Sequence, residues 1–241
     1  FDEISIKKNN RDIIIFKGKF KEKINPKKNT VTETLQLLRK FKVLKNFYKI
    51  IVKKKIPIYA GLGGGTSNSV SIIKYFLKNK LDKKLISYSE QKIGSDFRLF
   101  LNNCSFQKKL GKVFNTKNNI LLPILIVFPN IYCKTKSVYK MVKNFSSPSG
   151  GLYLKKNDKK KFIEKIKKDQ NDLQKIVEKK YTKISYLIKL INKQEGCIFS
   201  RMTGSGSACY GVFKSKKTAK VAINKLKRKY PKYWCVITKT I

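Results

Sequence analysis

Glycines, hydroxyls and one carboxylate are the groups best placed for chemistry in this 241-residue chain, which contains no histidine. That absence removes Ser-His-Asp and Cys-His nucleophile systems, histidine metal sites and imidazole acid–base catalysis. Any general base must be an acid, a lysine or a tyrosine. The stretch "IPIYAGLGGGTSNSVSIIKYF", residues 56–76, sets four glycines (Gly61, Gly63, Gly64, Gly65) within five positions and runs at once into an apolar helix pattern. Bare backbone permits positive φ and close approach of a ligand, and a helix start offers N–H groups and a positive dipole end to an anion. Thr66, Ser67 and Asn68 add groups able to cap that helix, contact phosphate oxygens or help hold a magnesium ion. The pattern is neither a Walker A loop nor G-x-G-x-x-G, since Thr66 stands where the third glycine would fall. Its plain alternative is a turn before a capped helix.

A second cluster, Thr203-Gly204-Ser205-Gly206-Ser207, lies between two strand-like runs. Alone it reads equally well as a hairpin turn; together, two anion-suited loops point to a site for phosphate groups. Most of the 14 acids sit in lysine-rich polar surroundings, where a solvated surface is their ordinary place. Asp96 differs, because in "IGSDFRLFL" it leads into Phe97, Leu99, Phe100 and Leu101. A carboxylate near the interior needs a partner or a task, so Asp96 either caps a short helix or takes part in catalysis.

The elements that must carry these residues are legible as patterns. "DEISIKKNN" and "RDIIIFKGKF" read as strands, "NTVTETLQLLRKFKVL" as a helix capped by Asn29 or Thr30, and "FYKIIVKKKIP" as a strand ending near Pro57. Val70, Ile72, Ile73, Phe76 and Leu77 form a helical stripe after the glycine loop, and "DKKLISYSEQKIG" is a shorter helix ahead of Asp96. "NILLPILIVFP" opens a second domain with helices around 158–170 and over 171–193, strands "CIFSRMTG" and "ACYGVFK", a helix over 215–229 and the strand "YWCVITKTI". Strands and helices mix without regular βαβ alternation, which predicts an α+β fold, with domains over 1–118 and 119–241.

Composition limits the function classes. At 41% hydrophobic the chain can bury a core, its longest apolar runs are too short to span a bilayer, and no signal series opens it, so a cytoplasmic location is expected. Cys104, Cys133, Cys197, Cys209 and Cys235 are scattered and odd in number, as ordinary buried thiols are. A net charge of +43 invites a nucleic-acid reading, yet only five of the 57 basic residues are Arg and the lysines follow the whole chain. A heavy load of Lys, Asn and Ile also fits an AT-rich coding sequence. Nucleic acid is therefore not expected as the main partner, and a non-catalytic basic binding protein is the rival reading.

Three segments in this order, "PIYAGLGGGTSN" at 57–68, "IGSDFRLFL" at 93–101 and "MTGSGSACYGVF" at 202–213, resemble the GHMP small-molecule kinases. Within them the resemblance is to the branch acting on 4-diphosphocytidyl-2-C-methyl-D-erythritol in non-mevalonate isoprenoid synthesis, and "FDEISI", the Asn-led helix and "NDLQ" at 171–174 extend it over nearly the whole chain. It implies a two-domain fold, with an N-terminal domain like domain 2 of ribosomal protein S5 and a ferredoxin-like C-terminal domain. It further implies ATP phosphates, with Mg2+, under the loop formed by Pro57, Ile58, Tyr59, Ala60, Gly61, Leu62, Gly63, Gly64, Gly65, Thr66 and Ser67, and the substrate held between the domains. The family's catalytic aspartate falls on Asp96, Thr203 to Ser207 would support the substrate and the transferred phosphate, and Tyr132 lies where cytidine is bordered. Asn29 and Lys54 are further candidates for the nucleotide's border. Homoserine or mevalonate-type alcohols are the alternative substrates.

Departures accompany the match. Tyr59 stands where the family commonly has a small residue, and Arg98 where it usually has proline. The family's opening "P-A-K-I-N-L" strand, whose lysine assists catalysis, and a histidine-bearing stretch that contacts cytidine do not occur. The chain begins at Phe1, and the expectation is that a few tens of residues precede it in the intact protein. Without them the resemblance implies weak ATP binding and slow or absent turnover, with metal ligands unassigned.

Overall fold

The computed structural model describes residues 1–78, 80, 82–102, 105–115, 120–146 and 158–240; the domain boundary expected at 118 and Cys104 lie outside them. The chain divides into two compact units, one of residues 1–58 with 63–116, the other of residues 59–62 with 117–241.

In the first unit, strands β1 (Glu3–Asn9), β2 (Ile13–Lys17) and β3 (Phe47–Lys53) form a sheet in the order β1-β3-β2. β1 runs antiparallel to β3, whereas β2 runs parallel to it. Parallel neighbours cannot be joined by a tight turn, so helix α1 (Thr30–Lys40) makes the crossover. Asn29 caps α1, its side chain accepting from Val31 N and Thr32 N at 3.0 Å. Alternation sends Ile4, Ile6, Ile14, Phe16, Ile50 and Val52 into the core with Leu35 and Leu38 of α1. Helix α2 (Gly64–Leu77) buries Val70, Ile72 and Ile73 in the same core, and α3 (Lys83–Lys92), capped by Asp82, adds Leu85 and Ile86. A 3-10 turn over Phe97–Leu101 follows Asp96. A hairpin of β4 (Ser105–Lys109) and β5 (Lys112–Asn115), which the sequence patterns did not predict, completes the unit.

The second unit carries β6 (Pro123–Phe128), then α4 (Thr135–Tyr139), α5 (Lys159–Lys168), α6 (Asp172–Lys180) and α7 (Thr182–Asn192). The hairpin β7 (Cys197–Met202) and β8 (Cys209–Phe213) follows, then α8 (Lys216–Lys229) and β9 (Trp234–Lys239). The four strands are antiparallel in the order β7-β8-β6-β9. Two strand–helix–strand passes joined by a hairpin in that order make the ferredoxin-like arrangement. β6 contributes to a core on each face: Leu125 and Val127 share one with residues of α7 and α8, while Ile124, like Phe162, Ile163 and Ile166 of α5, packs against the cluster of Leu122, Phe199 and Val212. That is why it reads as an unbroken apolar run.

The single helix expected over 171–193 is two helices, broken at Tyr181 (φ −132°, ψ 87°). Leu173, Val177, Ile184, Leu187, Ile188 and Ile191 keep helical spacing through the break and share one core, so periodicity alone hides it. Among the described residues no helix is long and apolar enough to cross a membrane. Cys133 and Cys209 are buried, and Cys197 and Cys235 half-buried, all as free thiols. Burial pushes the Cys197 and Cys235 thiols up to about 11, so neither is a nucleophile at neutral pH.

Candidate active site

The glycine-rich loop passes through both units: Pro57, Ile58 and Gly63 to Ser67 belong to the first, Tyr59 to Leu62 to the second. In the first unit Gly63 precedes α2 in the left-handed region (φ 62°) and supplies no side-chain cap. A side chain there would strike the Phe100 ring and stand 3.3 Å from Asp96 Oδ2, so the helix start and the carboxylate approach across bare backbone. The cap expected from Thr66, Ser67 or Asn68 is not made. Thr66 Oγ1 instead donates to Asp96 Oδ1 at 3.1 Å, and Asn68 Nδ2 donates to Asp2 Oδ2 at 2.9 Å. The leading N–H groups of α2 are thereby left uncapped by side chains.

Asp96 occupies the position before the 3-10 turn, yet its side chain makes no capping hydrogen bond to that turn. The capping alternative therefore does not describe it. Burial pushes its carboxyl above the ordinary value of 3.8, and the Thr66 hydroxyl pulls it partly back. Among the described residues no cation pairs with it.

A second buried carboxylate was missed in the sequence. The Asp2 side chain is fully buried, with Lys54 4% exposed beside it. Lys54 Nζ and Asn68 Nδ2 both donate to Asp2 Oδ2, and Lys55 N and Ile56 N donate to Oδ1 at 2.8 and 2.9 Å. Burial works against the Asp2 charge, but the Lys54 ammonium and the N–H donors outweigh it and hold the carboxyl below its usual value. A Cβ at Gly64 would lie 3.6 Å from Lys54 Nζ, so the ammonium stands beside the α2 start, opposite in kind to Asp96. Asn29, offered as a nucleotide neighbour, has its side chain committed to capping α1. Arg98 donates to Glu90 Oε2 at 2.9 Å, and Glu90 Oε1 accepts Gly111 N at 3.1 Å, which ties the β4–β5 turn to α3.

In the second unit, residues 59–62 lie against the second glycine cluster. Thr203 Oγ1 donates to Gly61 O, Ala208 N to Ala60 O at 3.0 Å, and Cys133 N to Tyr59 O at 3.0 Å. Gly61 (φ 71°) admits this contact only because it lacks a side chain: a Cβ would overlap Thr203 O and stand 2.8 Å from Gly206 N. Tyr59 also has positive φ (52°) and projects an exposed ring. Ser207 is fully buried with its hydroxyl donating to Ile131 O, and Ser205 shares a 2.9 Å hydrogen bond with Thr135 Oγ1. Both serine side chains thus build the loop, whose remaining offer to an anion is its backbone N–H groups. Tyr132 packs edge-on against Phe128, ring centroids 5.5 Å apart, with Ala60, Leu62, Ala208 and Trp234 nearby.

Among the described residues no group of three or more His, Cys, Asp and Glu could hold a metal ion. The hard oxygens at the α2 start are the Asp96 carboxylate and the Thr66 hydroxyl, a set that fits an ion carried mainly by phosphate oxygens and water.

Comparison with known proteins agrees with this anatomy. Residues 29–96 match the GHMP kinases N terminal domain and residues 152–232 the GHMP kinases C terminal model. A 4-diphosphocytidyl-2-C-methyl-D-erythritol kinase of Pelagibacter ubique is 35% identical over 250 residues, covering 100% of this chain and 86% of that one. One of the Wolbachia of Brugia malayi, with the same name, is 30% identical over 88% of this chain and 75% of its own. The crystal structure of a 4-(cytidine 5'-diphospho)-2C-methyl-D-erythritol kinase superposes with a TM-score of 0.72 at 18% identity, over 98% of this chain and 85% of that one. The homoserine kinase of Cytophaga hutchinsonii gives 0.69 at 16%, over 100% and 85%. At those identities the two structures speak for the fold alone, and the substrate branch rests on the sequence relatives. This chain belongs to the GHMP kinases, ATP-dependent enzymes that phosphorylate small molecules, in the family of the 4-diphosphocytidyl-2-C-methyl-D-erythritol kinases.

Proposed function

We propose that this chain transfers the γ-phosphoryl group of ATP to the 2-hydroxyl of 4-diphosphocytidyl-2-C-methyl-D-erythritol. The observation that carries the reading is Asp96, a half-buried carboxylate without a cationic partner among the described residues, held by Thr66 beside an uncapped helix start. Its raised proton affinity suits a general base, because a carboxylate at its ordinary pKa is a poor acceptor for an alcohol proton. Asp96 takes the 2-hydroxyl proton as the alkoxide oxygen bonds to the γ-phosphorus, the bond to the β–γ bridging oxygen breaks, and ADP leaves with that electron pair. The N–H groups and dipole of the α2 start, with the Lys54 ammonium beside Gly64, favour the phosphate charge. Mg2+ would neutralise charge on the phosphates, and Asp96 and Thr66 are the residues that would touch it. The backbone of Thr203 to Ser207 serves the substrate side, and Tyr132 borders the cytidine.

Rates with 4-diphosphocytidyl-2-C-methyl-D-erythritol, homoserine and mevalonate test the reading. The protein should favour the first by at least about a hundredfold in kcat/KM, since polar groups placed for one alcohol are left unpaired by another. Faster transfer to homoserine or mevalonate would overturn the substrate assignment while leaving the kinase chemistry in place.

A further inference from the structure

The "NDLQ" turn at 171–174 has no part in the chemistry above, yet its side chains hold the second glycine cluster. Asn171 Oδ1 accepts Leu173 N at 3.1 Å and so caps α6, while Asn171 Nδ2 donates to two carbonyls at once, Met202 O at 3.0 Å and Gly204 O at 2.8 Å. Gln174 Oε1 accepts Met202 N at 3.0 Å, and its Nε2 is itself fixed on Glu178 Oε1 at 3.0 Å. The end of β7 is thus gripped through both of its outward peptide groups. A cap alone explains only one of Asn171's three hydrogen bonds; the other two reach 31 and 33 residues along the chain.

The direction of the Gly204 carbonyl matters because the following peptide is trans. In a trans peptide the C=O and the next N–H point opposite ways, so drawing Gly204 O back toward α6 turns Ser205 N–H away from α6. That N–H has no hydrogen-bond partner among the described residues, although Ser205 itself is 5% exposed and its hydroxyl is engaged by Thr135. Gly204, by contrast, is exposed, has positive φ (47°) and carries no side chain that could hold its own peptide plane. We propose that Asn171 is a positioning residue: by fixing the Gly204 carbonyl it presents the Ser205 N–H to a bound phosphate group. The proposal rests on the reading of residues 203–207 as a phosphate-side loop.

Asn171→Ser separates the two roles, since serine keeps the N-cap acceptor and loses both donors to the loop. Asn171→Asp keeps the shape and the cap but faces two carbonyls with a carboxylate. Asp172→Ala alters the same turn without touching the loop, because among the described residues the Asp172 side chain bonds only Ser146. The serine variant should lose about ten- to a hundredfold in kcat per folded molecule, with the KM of the alcohol moved less than about threefold, and the aspartate variant at least as much. The alanine control should match the parent protein, and the serine variant should stay folded with its melting temperature lowered by only a few degrees. In 15N-labelled protein, the Ser205 amide resonance should shift on titration with inorganic tripolyphosphate, and this response should be lost in Asn171→Ser. Unaltered kcat in the serine variant, or a Ser205 amide indifferent to tripolyphosphate in the parent protein, overturns the proposal. A Ser205 response without phosphoryl transfer to any alcohol would instead overturn the kinase reading and leave the loop's anion role standing.

Discussion

Gly61→Ala tests the joint between the two glycine-rich segments, which lie over a hundred residues apart in sequence and touch through main-chain atoms. An alanine at φ 71° carries a penalty of about 1–2 kcal/mol from its own backbone. The new Cβ would also overlap Thr203 O and crowd Gly206 N at 2.8 Å, both of them backbone atoms that cannot swing aside. Residues 59–62 must then back away, and the bonds from Thr203 Oγ1 to Gly61 O and from Ala208 N to Ala60 O go with them, at about 1 kcal/mol each. The sum is about 3–4 kcal/mol. Gly111→Ala supplies the control, because Gly111 has nearly the same φ (74°) and nothing within 4 Å of its missing side chain. It should lose only the backbone penalty. At about 2–4 °C per kcal/mol for a chain of this size, scanning calorimetry should show a drop of about 10 °C for Gly61→Ala against about 4 °C for Gly111→Ala. Equal drops would mean that the close approach at Gly61 contributes nothing beyond backbone conformation.

Asp2→Asn should destabilise the first unit by about 3–5 kcal/mol in chemical denaturation, because it leaves the Lys54 ammonium buried without its counter-charge. The Asp2 carboxyl is held below its ordinary 3.8, so its stabilisation is complete above that value and is lost as pH falls through the lowered one; the variant should show a flatter acid limb. Thr66→Val should move the acid limb of the kcat/KM profile to higher pH, because it removes the hydrogen bond that lowers the Asp96 carboxyl while leaving its burial in place. A limb that stays put or moves down would exclude Asp96 as the titrating base. The raised Asp96 carboxyl also opposes folding progressively as pH rises from 3.8 through the folded value, so Asp96→Asn should be at least as stable as the parent protein at neutral pH.

Local signals were readable where a single residue type decides the geometry. Asn29 announced α1, the β-branched run Ile13 to Ile15 announced β2, and the stripe from Val70 to Leu77 announced α2. The glycines announced close approach, but not that Gly61 meets Thr203 while Gly63 meets Asp96, because one short loop divides between two cores and sequence carries no sign of that division. The β4–β5 hairpin was missed because its strands are short and mostly half-exposed; Gly111 after Leu110 was the available signal. Asp2 looked like one more surface acid at the head of an alternating strand. Its burial arises from Lys54 and Asn68, neither of which is a neighbour in sequence. Asn171 opens the helix expected over 171–193 and caps it, whereas its bonds to Met202 and Gly204 depend on where β7 ends in space.

Whether Asp96 is the general base is decided by phosphorus NMR of the protein with ATP, Mg2+ and 4-diphosphocytidyl-2-C-methyl-D-erythritol, run in parallel with Asp96→Asn. A new phosphomonoester signal should grow with ADP in the parent protein, and at a rate about a hundred- to ten-thousandfold lower in the variant, the usual worth of a general base. Transfer at parental rate by Asp96→Asn, in a folded protein, would contradict that role.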